Sequence, residues 1–97
     1  MKLTFEWDEN KNAINIKKHG ISFDEAVSVF NDPKRYEKFD TVNSFFEKRW
    51  ITVGLAGWKV LRVVFTERNS TIRLITARKA DKINKERYFY GYSKTNN

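Results

Sequence analysis

The chain has no cysteine, one histidine, one proline and four glycines in 97 residues, and each scarcity closes off a class of chemistry. Without cysteine there is no disulfide, no thiolate metal site and no thiol nucleophile. A lone histidine, His19, makes no cluster for zinc, and the acids are spread along the chain instead of grouping as in magnesium nucleases. Gly20, Gly54, Gly57 and Gly91 are scattered, so no glycine-rich loop is there to cradle a nucleotide phosphate. No apolar run reaches the ~18 residues of a membrane span. Charge enters at Lys2, Glu6 and Asp8, too early for the apolar region of a signal peptide. The expectation is one cytoplasmic domain over residues 1–97, with a modest core and no metal or cofactor.

What the chain does have is positive charge, unevenly placed. Residues 1–48 carry 8 lysines and arginines against 9 acids, a net of −1; residues 49–97 carry 11 against 3, a net of +8. The cationic half is the half that reads as sheet, so these charges punctuate strands. A cationic sheet points to a polyanion, with nucleic acid first.

The elements follow in order. Residues 2–7 alternate with Leu3, Phe5 and Trp7 on one face, a half-buried strand. Asp8 is an N-cap for a helix from residue 9 to residue 19, and Gly20 is its C′ residue. Lys17, Lys18 and His19 fill the last turn, where cations complement the helix dipole. Ser22 and Glu25 have the form of a capping box. Behind them Phe23, Ala26, Val27 and Phe30 make one apolar stripe, stopped by Asn31-Asp32-Pro33. Residues 35–39 suggest an edge strand and 41–46 a loop. Strands at 50–55, 59–66 and 71–77, joined by short turns, form an antiparallel meander. Asp81 caps a last helix on which Ile83, Arg87 and Tyr90 share a face, and the polar residues after Gly91 should fray. Helices grouped ahead of a meander make the chain α+β, with the two early helices on one sheet face and charge on the other.

Arg78-Lys79 end a strand, and Lys82, Lys85 and Arg87 follow, so a rigid sheet presents an arginine-rich edge suited to phosphate. The polar groups left without metal or thiol are Arg, Lys, His, Glu and Tyr. That set suits cleavage of RNA by its own 2′-hydroxyl, which needs a base, an acid and positive charge over the transition state. Arg49 and Arg78 are the charge candidates, with His19 and Glu47 or Glu67 for proton transfer and Trp50, Trp58 and Tyr88 for base stacking. Against this, His19 also reads as a helix-end residue and Glu47 as a strand partner of Arg49. Arg62 and Arg73, inside strands, require an open face or a nearby acid. A non-catalytic module whose basic face docks nucleic acid or an acidic partner is the alternative.

Five stretches carry a resemblance: F-E-W-D-E-N-K at 5–11, K-H-G-I-S-F-D-E-A at 18–26, E-K-R-W at 47–50, R-L-I-T-A-R-K-A at 73–80 and E-R-Y at 86–88. In this order and spacing the chain resembles the BrnT toxins of type II toxin–antitoxin modules. The resemblance implies a RelE-like fold and an endoribonuclease that blocks translation. It implies a BrnA-like ribbon-helix-helix antitoxin, met in a toxin–antitoxin heterotetramer that touches operator DNA only through the antitoxin. The family's polar motif positions fall on Lys18, His19, Glu47, Arg49, Arg78, Glu86 and Arg87. The expected catalytic set is Lys18, His19, Glu47, Arg49 and Arg78, with Lys79, Lys82, Arg87 and Tyr88 on the RNA. The loop at 34–46 matches nothing in the resemblance.

Overall fold

The computed structural model describes residues 2–91. A five-stranded mixed sheet is built from β1 (Thr4–Glu6), β2 (Tyr36–Phe39), β3 (Trp50–Ala56), β4 (Lys59–Arg68) and β5 (Thr71–Lys79), in the order β1-β5-β4-β3-β2. The meander of β3, β4 and β5 and the edge strand β2 are antiparallel, as the turn signals require. β1 departs from the expected all-antiparallel sheet. It lies parallel to β5, pairing Phe5 with Ile72 and Glu6 with Arg73, because the chain returns to it only after crossing the whole sheet. The polar tail after Gly91 lies outside the described residues.

Helix α1 (Glu9–His19) is set by its ends. The Asp8 carboxylate accepts from the N–H of Asn10 (2.8 Å) and Lys11 (3.2 Å), and Gly20, at φ 72°, donates its N–H to Ile16 O (2.7 Å). Its packing differs from the expected apolar contact with the sheet. Ile14 and Ile16 face solvent, and the buried residue is Asn15. Where β1 runs out, Asn15 takes over the edge of β5: its Oδ1 accepts from Ala77 N (3.1 Å) and its Nδ2 donates to Ala77 O and Ile21 O (both 2.8 Å). One side chain thus continues the ladder that β1 begins.

Helix α2 (Phe23–Val27) tightens into a 3₁₀ turn over Ser28–Asn31 and covers one sheet face. Ser22 caps it by accepting from Glu25 N (3.0 Å), but the box is half made, since the Glu25 carboxylate pairs with Lys59 across the sheet (2.8 Å). Phe23, Ala26, Val29 and Phe30 meet Leu61, Val63, Phe65, Leu74 and Ala77 in the main core. Gly54 has no room for a side chain here, because a Cβ would stand 2.9 Å from Arg35 Cβ and 3.1 Å from Val29 Cγ1.

The other face is open along part of its length. Its apolar end, Ile51, Val53, Val60 and Val64, lies under α3 (Lys82–Glu86) and the wider π turn that continues it over Arg87–Gly91. Asn84 and Tyr88 are the buried residues of this segment. The expected common face of Ile83, Arg87 and Tyr90 is instead exposed, because the capped start at Asp81 turns Asn84 and Tyr88 inward. Tyr88 OH bonds the Asp32 carboxylate and Tyr36 OH lies 3.1 Å from Asn84 Oδ1, so the segment is tied down by polar bonds. Among the described residues no helix is long and apolar enough to cross a membrane.

Candidate active site

Beyond its apolar end, the open face carries arginines where the strands alternate away from the core. Leu61 and Val63 point into the helix-covered core, so Arg62 between them points out; its partner on β5 is Arg78. Two like charges opposed on adjacent strands destabilise a sheet, yet neither guanidinium has a hydrogen bond or ion pair to a carboxylate among the described residues. Burial and then Arg78 pull the Arg62 guanidinium below the usual arginine range; Asp40, Asp81 and Tyr36 push back. Tyr36, on the same face of β2, stays a protonated phenol at neutral pH: burial, with Asp81, raises its pKa more than Arg87 and Arg62 lower it.

A groove of about 260 Å³ continues this surface along β5. Lys11, Ile14, Asn15, Lys18 and His19 of α1 form one wall, with Ile75 and Thr76 of β5 and Arg49 opposite. The helix terminus places Lys18 and His19 there. Arg49 is placed by its own backbone. Asp40 N donates to Arg49 O (2.9 Å) and Arg49 N donates to Ser44 Oγ (3.0 Å), clamping the neck of the 40–49 loop. Arg49 Nε is buried without a partner among the described residues. Thr76 lines the groove and Arg78 lies two residues on, so groove and arginine pair are ~7 Å apart along one strand.

Of the expected catalytic set, Lys18, His19 and Arg49 share this groove, and Arg78 adjoins it. Glu47 stands apart. It is held by Arg68 (2.8 Å) and not by Arg49, and chiefly through Arg68's hydrogen bond its carboxyl lies below the usual range. Tyr88 is placed where it cannot stack on a base, since it is buried against the sheet with its hydroxyl on Asp32. Lys79 turns toward a different groove with Trp58 and Phe89, and Arg87 lies with Ile83, Glu86 and Tyr90. Lys82 is exposed at the start of α3. Trp50 is committed to packing, its ring 5.1 Å from Phe39 and against the core. Arg73 has the acid it required, Glu6 at 2.7 Å.

The site residues absent from the expected catalytic and RNA-binding sets are Arg62, noted from sequence only as needing an open face or a nearby acid, and Tyr36 and Lys11. Arg62 carried a signal, a charge in a strand with no acid two residues away. Tyr36 and Lys11 carried none, because strand order and helix placement alone bring them in. Among the described residues no three His, Cys, Asp or Glu side chains stand together as a metal site would need.

A search of curated proteins finds no match to the chain. A family model does match: residues 7–84 fit the ribonuclease toxin, BrnT, of type II toxin–antitoxin systems. The match takes in α1, the whole sheet from β2 to β5 and the start of α3, and so every residue of the groove and the arginine pair. With four-fifths of its length covered in this way, the chain belongs to the BrnT family of type II toxin–antitoxin ribonuclease toxins.

Proposed function

We propose that the whole chain is one RelE-like toxin domain that cleaves RNA without a metal ion, through attack by the 2′-hydroxyl on the adjacent phosphate. The observation that carries the reading is the Arg62–Arg78 pair, two like charges facing each other with no carboxylate at ion-pair distance among the described residues, beside the Nε of Arg49, which has no partner among them either. A sheet tolerates such a pair when an anion bridges it, and guanidinium forks fit phosphate oxygens two at a time.

In this reading Arg49, Arg62 and Arg78 hold the scissile phosphate and its growing negative charge. His19 accepts the proton of the 2′-hydroxyl, whose oxygen bonds phosphorus. The bond to the 5′-oxygen breaks, and Lys18 or Lys11 protonates that leaving group. The products are a 2′,3′-cyclic phosphate and a free 5′-hydroxyl, and the histidine and lysine exchange protons with water to reset. Glu47, committed to Arg68, has no role. Lys82 and Arg87 contact flanking phosphates. The partner is a BrnA-like ribbon-helix-helix antitoxin in a heterotetramer, which carries the toxin to operator DNA.

The test is induction of the protein alone in a bacterial host, beside Arg78→Ala, following growth and the ends of cellular RNA. Arrest with new cyclic-phosphate ends, formed also by purified protein in excess chelator and lost in the variant, is expected. Arrest without new RNA ends, or cleavage that chelator abolishes, would overturn the mechanism. Full activity of folded Arg78→Ala and His19→Ala would overturn the site.

A further inference from the structure

At the apolar end of the open face, apart from the arginines, the tip of the β3–β4 hairpin meets the C-terminal helix at a second groove. It measures about 240 Å³ and is lined by Trp58, Lys59, Val60, Lys79, Lys85 and Phe89. Its apolar walls are unusually wet: Trp58 is 82% exposed and Phe89 55%, over a buried Val60. Its rim is cationic, and no carboxylate lines it among the described residues. Lys79 and Lys85 have no hydrogen bond or ion pair among the described residues, while Lys59 is held by Glu25.

The volume falls short of the ~300 Å³ at which small-molecule pockets begin, and suits one or two side chains. A nucleic-acid base is a poorer occupant, because the Lys59 ammonium already lies over the Trp58 ring at 5.6 Å, where a base would stack. An exposed tryptophan that a partner would desolvate, ringed by one sign of charge, is the pattern of a protein hot spot.

We propose that this groove docks an acidic amphipathic segment of the antitoxin, its apolar side chain between Trp58 and Phe89 and its carboxylates on Lys79 and Lys85. Val60, which lines the groove, lies two residues from Arg62 on the same face of β4, so a segment seated here also reaches the edge of the arginine face. The inference rests on the family's toxin–antitoxin character and not on the cleavage mechanism.

The experiment measures binding of purified antitoxin to the full-length toxin and to Trp58→Ala, Lys85→Glu, Lys85→Arg and the Trp58→Ala/Lys85→Glu double variant, each checked for unchanged melting. Trp58→Ala and Lys85→Glu should each raise Kd at least tenfold and the double variant more, while Lys85→Arg stays within about twofold. In cells, the double variant should arrest growth even when antitoxin is co-induced. A double variant that binds within twofold of the parent overturns the proposal, as does Lys85→Arg losing as much as Lys85→Glu. Weakened RNA binding with antitoxin binding intact would give the groove to RNA and overturn it too. Trp58 and Lys85 are both exposed, so loss of fold is not expected to mask the result. A toxin whose parent form causes no arrest would refute the nuclease reading, and the binding arm would still decide this one.

Discussion

The same five strands present two faces built on opposite rules. Toward α2 the alternate residues are apolar or small, and the Phe5, Phe30 and Phe65 rings meet at 5.1 Å. Phe23, Leu61, Val63, Leu74 and Ala77 there are almost wholly out of water. On the reverse, one end is apolar under Tyr88 and the remainder carries Arg49, Arg62, Arg73 and Arg78. Among the described residues, only Arg73 of these has an ion pair, with Glu6. One face therefore supplies the stability that allows the other to keep unneutralised charge in a fixed array, where it is worth more to a bound anion than flexible surface lysines would be.

Breaking the closed face should have the largest effect. Phe23→Ala empties the centre of the core, packed against Trp7 and the strands; it should cost ~3–5 kcal/mol, read by denaturant melts. Breaking the open face should do the reverse. Arg62→Ala should lower RNA cleavage about 100-fold or more, as loss of one preorganised donor does, and leave Tm equal or higher, because a like-charge pair worth ~0.2–1 kcal/mol of repulsion is relieved. A fall in Tm with cleavage intact would make Arg62 a structural residue and erase the contrast between the faces.

That contrast was only half legible in the sequence. The helix-side stripe of α2 and the capped ends of α1 follow from local chemistry, as does the meander. The face of Arg78 does not. Straight alternation along β5 would put Arg78 on the same side as Leu74, in the core. An irregularity opposite Val64 and Phe65 skips Ile75, pairing Leu74 with Phe65 and Thr76 with Val64. Leu74 and Ala77 then both face α2, and Arg73 and Arg78 both face out. Nothing in T-I-R-L-I-T-A-R-K marks that bulge, which is imposed by the partner strand. The parallel pairing of β1 escaped for a similar reason: a three-residue strand at the chain's start has no turn to fix its direction. Tyr88 was misplaced because an aromatic beside an arginine reads as a base platform until Asp32, 56 residues away, takes its hydroxyl.

Asn15 sharpens the comparison at the sheet's edge, where the helix-covered side and the groove meet. Asn15→Ala would leave the buried N–H and C=O of Ala77 without partners, and should cost ~1–3 kcal/mol. Because Asn15 also lines the groove with Lys18 and His19, cleavage should fall as well. Ala77 N–H exchange with deuterium checks the cause, and protection unchanged in the variant would rule out this account.

The smallest expected effect tests how the open face is covered. Asp32 is partly buried, which raises its pKa, but bonds from Tyr88 OH and from the N–H of Leu55 and Lys34, with Arg35 nearby, bring it below the ordinary 3.8. Tyr88 moves upward, through burial and then through Asp32. A depressed carboxyl contributes stability that is present above 3.8 and is lost as pH falls below it; a raised phenol contributes stability that is present below 10.0 and is lost as pH rises above it. Tyr88→Phe removes the phenol's contribution and the Tyr88 share of the carboxyl's, leaving the Leu55 and Lys34 bonds on Asp32, at a cost of ~1 kcal/mol at neutral pH. The gap between parent and variant in denaturant melts should therefore be widest near neutrality and narrow toward both extremes. A gap that stays constant into acid and alkali would mean that ring packing alone holds the C-terminal helix on the sheet, and that the open face is covered on the same apolar terms as the closed one.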